Sequence, residues 1–203
     1  DKLAAFRTGA GRSASDTADI RDDFAMGEKR LRRSVPTLKI EYNDDIKIPE
    51  VIGTDMTAAR SFLTGPSGEK RADSLKRFLN ANSSLIGVGP DVITGLKVTA
   101  DYANPNGDLG FAVLEQRIGG VPVFRGEVKA GFTRNGEIVR VINNLAPGVD
   151  DSSAASDFGS PLDAVRAAAG HISIDAARFD LTPDAAASGD LRAVFGRGDS
   201  ATS

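Results

Sequence analysis

His171 is the single histidine of this 203-residue chain, and there is no cysteine. A zinc peptidase helix needs His-Glu-x-x-His, two imidazoles one turn apart with a glutamate as base. Here His171 is followed by Ile-Ser-Ile. One imidazole without thiolates cannot build a histidine-rich zinc centre, and the same lone histidine argues against a serine triad. At the end of an apolar-striped segment, His171 reads as a helix C-cap or dipole partner. Gly119, Gly120, Pro122 and Gly126 are spaced loosely like a phosphate-cradling loop, but they lie between strand-like runs, where turns are expected instead. Asn104, Asn106 and Asp108 lack the first acid and closing glutamate of a calcium loop and read as a hairpin connection. Lys29-Arg30-Leu31-Arg32-Arg33 reads as a solvated charged face, ahead of a processing site or an anion patch. Gly196-Arg197-Gly198-Asp199-Ser200 holds an integrin-type tripeptide, a match short enough to arise by chance. The chain is expected not to be an enzyme by itself and to hold no cofactor.

Composition narrows the partners. Hydrophobic residues make up 40% of the chain, enough for one good core with an extension or second small unit. A net charge of −3 gives no electrostatic case for nucleic acid or anionic membrane. No apolar run approaches the roughly 20 residues that span a bilayer. No signal peptide is visible, so for an exported chain that segment has already gone. The absence of cysteine excludes disulfides and leaves the compartment open.

The elements that position these residues centre on Asp108–Asn144. Gly119-Gly120 and Asn135-Gly136 each supply the positive φ of a two-residue hairpin turn, so three β-rich runs read as an antiparallel meander. The first turn sets Phe111 opposite Val128, Leu109 opposite Ala130 and Val113 opposite Gly126. The second sets Phe132 opposite Val139 and Ala130 opposite Val141. Both place Phe124, Val128, Ala130 and Phe132 on one buried face. The outer face then carries Leu114, Val123, Ile138 and Ile142 among Arg125, Lys129 and Arg140, an apolar patch rimmed by cations that either docks a partner or is covered by residues 1–60.

Before the meander, Ala72, Leu75, Phe78 and Leu79 form one stripe of a helix from about Ser67 to Asn82. Asp91–Tyr102 alternates like a half-buried strand. The expected fold is α+β, one helix laid across a four-stranded antiparallel sheet. Residues 1–61 read as an N-terminal arm: Ser13–Asp23 as a short helix or mobile segment, and Thr37–Ile48 as an edge strand or extended run between Pro36 and Pro49. Residues 62–148 form the helix-plus-sheet domain. Residues 149–203 are a linker and a partial α+β unit whose remainder is expected beyond Ser203. Within it, Ser160 and Pro161 open a helix with Leu162, Val165, Ala169 and Ile172 on its stripe, and Arg178–Leu181 reads as a short strand.

Gln116-Arg117-Ile118-Gly119-Gly120-Val121-Pro122-Val123-Phe124, then Gly126-Glu127-Val128 and Asn135-Gly136-Glu137-Ile138-Val139, resembles the fungalysin/thermolysin propeptide (FTP) motif. Phe111 stands where that motif often has a histidine. The helix with Leu75, Phe78-Leu79-Asn80 and Leu85-Ile86-Gly87 is similar to the one preceding the motif, and Pro161–Ile172 is similar to the start of a PepSY-like segment. The resemblance implies a cystatin/PepSY-like sheet in the proregion of a secreted zinc metallopeptidase. Such a segment inhibits and chaperones a catalytic domain, expected downstream of Ser203 or on a separate chain, that holds the zinc. A free-standing cystatin- or PepSY-like inhibitor or binding module of the cell surface or periplasm remains the other reading.

Overall fold

Val128, Ala130 and Phe132 alternate with Glu127, Lys129 and Gly131, and this period of two is what folds residues 109–143 into the core of a sheet. A computed structural model describes residues 14–44, 47–57, 61–149, 159–175, 181–189 and 192–196. The chain divides into two compact units, Asp1–Ser153 and Ala154–Ser203.

In the first unit, helix α1 (Ala14–Ser34) precedes strands β1 (Leu38–Tyr42) and β2 (Pro49–Thr54). Helix α2 (Arg71–Ala81), a helical turn α3 (Ser83–Ile86) and a short helix α4 (Pro90–Gly95) follow. Strands β3 (Lys97–Ala103), β4 (Leu109–Ile118), β5 (Val121–Thr133) and β6 (Ile138–Asn143) complete the unit. All pairings are antiparallel, in the order β1-β2-β6-β5-β4-β3. The expected four-stranded sheet is therefore six-stranded. Residues read as an arm supply two of its strands, because β6 would otherwise be an open edge and β2 pairs with it through Val51–Ile142 and Ile52–Val141. Pro49 is tolerated as the first residue of β2.

The inner face is covered by two helices rather than one. Helix α2 buries Ala72, Leu75, Phe78 and Leu79, and Arg71 pairs with Asp101 on β3 at 2.6 Å. Helix α1 adds Phe24 and Leu31 to the buried set, and Val35 just after it is buried too. It approaches α3 so closely that a Cβ on Gly27 would lie 2.5 Å from the Leu85 amide nitrogen. Segment 61–67 closes the far end: the Leu63 N–H donates to the Ile138 carbonyl (2.8 Å), and the Ser67 N–H to the Asn135 carbonyl (2.9 Å). The first part of the expected 91–102 strand is instead α4, begun at Pro90, which buries Ile93. Proline at the first helical position needs no amide partner.

Helix α1 is tied to β1 by charge. Glu28 receives Arg32 Nη2 at 2.8 Å and the Tyr42 hydroxyl at 2.9 Å, while Arg32 Nη1 donates to the Leu38 carbonyl at 2.7 Å. The Arg32 hydrogen bond holds the Glu28 carboxyl below its ordinary value of 4.5. Burial, with the bond to Glu28, pushes the Tyr42 phenol up to about 12. A lowered carboxyl stabilises above its unfolded value, and that contribution is lost as pH falls below about 4.5. A raised phenol stabilises below pH 10 and loses its contribution as pH rises toward about 12. The urea midpoint is therefore expected to fall between pH 10 and about 12, and Tyr42→Phe to flatten that limb. An unchanged limb in Tyr42→Phe would show that the contact contributes nothing.

In the second unit, helix α5 (Pro161–His171) starts as expected, with Ser160 Oγ accepting from the Asp163 N–H at 3.4 Å. Its stripe, Leu162, Val165 and Ala169, is only half-buried, and Ile172 is exposed. Strands β7 (Thr182–Pro183) and β8 (Phe195–Gly196) pair antiparallel. Arg178–Asp180 of the expected strand, and Arg197–Ser200, lie outside the described residues, as do 150–158 of the linker.

Candidate functional site

The β4–β5 hairpin begins as its turn residues dictate. Gly119 and Gly120 take φ of 55° and 81°, and Ile118 pairs with Val121, then Arg117 with Pro122. The ladder then breaks. Glu115 pairs with Glu127, so Gln116 alone on β4 faces the run 123–126 on β5. This bulge throws Phe124 out, at 88% exposed. Arg125 adopts φ 58°, an uncommon conformation for a side chain with a Cβ and one that collects at functional positions. Its guanidinium stands 5.4 Å from the Phe124 ring centroid, within cation–π reach. Gly126 makes the bend feasible, since a Cβ there would meet Val123 side-chain carbons at 2.7 Å.

Gln116 repairs the gap in the ladder. Its side chain is fully buried; Oε1 accepts the Ala146 N–H at 2.8 Å, and Nε2 donates to the Ala146 carbonyl at 3.2 Å. One amide thus replaces a backbone pairing and latches residues after β6 against β4. Asn143 does similar work from β6: its Nδ2 donates to the Pro49 carbonyl at 3.1 Å, and its Oδ1 accepts the Leu145 N–H at 3.3 Å.

The bulge also reverses β4. Leu114 pairs with Val128 and Ala112 with Ala130, both on the core face, while Phe111 pairs with Gly131 and Val113 with Lys129 on the outer face. The expected pairings of Phe111, Leu109 and Val113 are corrected accordingly, and so is the burial of Phe124. Leu114, assigned to the outer patch, is fully buried. Ile138 is fully buried too. The second turn spans Thr133–Gly136, with the Gly136 N–H bonded to the Thr133 carbonyl at 3.0 Å and positive φ at Gly136, not at Asn135. Phe132 then pairs with Ile138 rather than Val139. An irregularity between Gly131 and Phe132 restores the expected Ala130–Val141 pairing.

Of the six residues proposed for partner binding, Val123 is half-buried beside the knuckle, Arg125 is exposed on it, and Arg140 and Ile142 remain on the outer face. The bulge brings Phe111 and Val113 there, which the expected pairings placed inside, and Tyr102 of β3 pairs with Phe111. Tyr102 and Phe111 stack with ring centroids 5.2 Å apart. Most charges on this face neutralise one another, Arg117 with Glu115 at 2.9 Å and Lys129 with Glu127 at 2.8 Å. Arg140 does not: it has no ion pair or side-chain hydrogen bond among the described residues. It extends over Gly53, where a Cβ would lie 3.8 Å from its Nε. The signal that could have exposed the error was Gly126, a second glycine soon after a glycine turn, which often marks a bulge.

Among the described residues no group of three or more histidine, cysteine, aspartate or glutamate side chains is placed to hold a metal ion, and no helix is long and apolar enough to cross a membrane. His171 ends α5, exposed. Asn104 is a hairpin-loop residue whose Oδ1 accepts the Leu109 N–H at 3.2 Å. What this sheet offers is a surface with an aromatic–arginine knuckle at one end and, near the middle, a guanidinium that has no ion pair among the described residues. No curated protein matches the chain. Residues 94–145, which contain the bulged hairpin, Gln116 and strands β3 to β6, match the family model of the Fungalysin/Thermolysin Propeptide Motif.

Proposed function

We propose that the chain is the noncatalytic propeptide of a secreted, fungalysin-like zinc metalloendopeptidase, and that it inhibits the catalytic domain and assists its folding. The match over 94–145 carries this reading. The outer sheet face supports it, with Phe124, Arg125, Arg140 and Ile142 as the contact residues and zinc held by the partner. Covalent linkage gives an effective concentration on the order of mM, so modest contacts keep the catalytic domain occupied until the linker is cut. A protease folded on such a template then persists by a kinetic barrier. Pro161–Ile172 would open the PepSY-like half of the same proregion.

The test is inhibition in trans. Purified chain added to the mature peptidase of the same precursor is expected to inhibit it. Phe124→Ala raises the inhibition constant by about 30-fold, the scale of an exposed aromatic hot spot, and Arg140→Glu by about 10-fold. Full peptidase activity under a large excess of folded chain would remove inhibition and leave only assistance in folding, which refolding yields with and without the chain measure separately.

A further inference from the structure

Between α1 and α2, beside residues 63–66, lies a cleft of about 560 Å³, a size typical of small-molecule sites. Leu31, Leu63 and Phe78 give it an apolar lining, Arg30 and Arg77 also line it, and no acidic side chain does. Arg77 meets Glu69 at 3.1 Å, an exposed pair that contributes little and yields readily to a competing anion. Arg30 has no ion pair or side-chain hydrogen bond among the described residues.

Most polar side chains in the lining are occupied. The Ser34 hydroxyl donates to the Leu31 carbonyl at 3.0 Å, Asn82 Nδ2 donates to the Phe78 carbonyl at 2.8 Å, and Thr64 Oγ1 accepts the Ile138 N–H at 2.9 Å. Ser74 differs. It lines the cleft and is 2% exposed, and its hydroxyl has no partner among the described residues. Alanine would favour the helix more and leave nothing unpaired; a serine is compensated when a ligand bonds its hydroxyl. Ser74 sits three residues before Arg77, so the two side chains share one helix face, and both line the cleft.

We infer that this cleft binds a small apolar carboxylate. The head group is held by Arg30, Arg77 and Ser74, and the hydrocarbon body lies against Leu31, Leu63 and Phe78. This site is separate from the outer sheet face and stands whether or not the chain inhibits a peptidase. An occupant joins α1 to α2 and stabilises the folded chain by mass action.

Octanoate is the probe, titrated into the full chain and followed by amide NMR shifts and by melting temperature. The expected result is a set of shifts confined to Leu31, Leu63, Ser74, Arg77 and Phe78, with Kd on the order of 1 mM for a ligand of this size. Octanol and acetate, lacking the charge or the body, bind at least about 10-fold more weakly. Arg30→Gln with Arg77→Gln weakens octanoate about 10-fold while the melting temperature stays within about 3 °C. Ser74→Ala raises the melting temperature of the free chain by about 3 °C yet weakens octanoate about 5-fold. Shifts absent at 10-fold the expected Kd, shifts scattered over other apolar surface, or equal binding of octanol would overturn the site. A lower melting temperature in Ser74→Ala would show the hydroxyl already satisfied by water and overturn it equally.

Discussion

Gly136→Ala is expected to lower the melting temperature by about 10 °C, equivalent to about 3 kcal/mol for a unit of this size. Two costs combine. Gly136 has φ 80°, where a Cβ costs about 1–2 kcal/mol. That Cβ would also fall within contact distance of the Ser67 carbonyl oxygen, forcing residues 63–67 away from the turn. The bond from Ser67 N–H to the Asn135 carbonyl, and that from Ile138 N–H to Thr64 Oγ1 at 2.9 Å, would be strained with it. Gly120→Ala separates the two costs. Gly120 has φ 81° but open space around it, so its alanine variant should lose only about 3 °C. Equal losses in the two variants would mean that segment 63–67 does not press on the turn.

Gln116→Leu is the second large effect, about 3 kcal/mol by urea denaturation. Leucine fills the volume but leaves the Ala146 N–H and carbonyl without their partners at 2.8 and 3.2 Å, and each unsatisfied group costs about 1–3 kcal/mol. Hydrogen exchange gives an independent reading, because the Ala146 amide should lose its protection while strand β4 keeps its own. Normal protection at Ala146 would show that the latch is not formed by this side chain. Gln116 is then a structural residue within the matched segment, and the proposed contact surface lies across the sheet from it. If the chain inhibits a peptidase as proposed, Gln116→Leu folds less stably but inhibits with an unchanged constant once folded, the reverse of Phe124→Ala.

Several parts of this organisation are legible in the chain because they depend on neighbours in sequence. The Ala72–Leu79 stripe needs only its three- and four-residue spacing, and it appears as α2. The Ser160–Pro161 opening of α5 needs only a capping hydroxyl three residues from Asp163. The Gly119-Gly120 turn needs only residues that tolerate positive φ. Beyond the turn, legibility ends at Pro122. Extending the two-residue turn as a regular ladder places Phe124 inside and Leu114 outside, and both placements are reversed by the residues added at 123–126. Strand register is a property of two segments jointly, and an irregularity in either inverts every side chain past it.

The N-terminal region illustrates the same limit on a longer scale. Thr37–Ile48 has the alternation of a strand, and β1 is indeed an edge strand, but nothing local tells that β2 will pair with β6, far along the chain. That pairing follows from an unpaired edge on β6 and a core face that α2 alone does not cover. Local propensity and turn chemistry thus determined the α2 and α5 helices and the Gly119-Gly120 turn, and Gln116, Gly119 and Pro122 lie within the matched propeptide motif. Only the tertiary structure decided which side chains stand exposed on the outer face, because exposure is set by register and by distant strands covering one another, and neither is encoded in any single stretch.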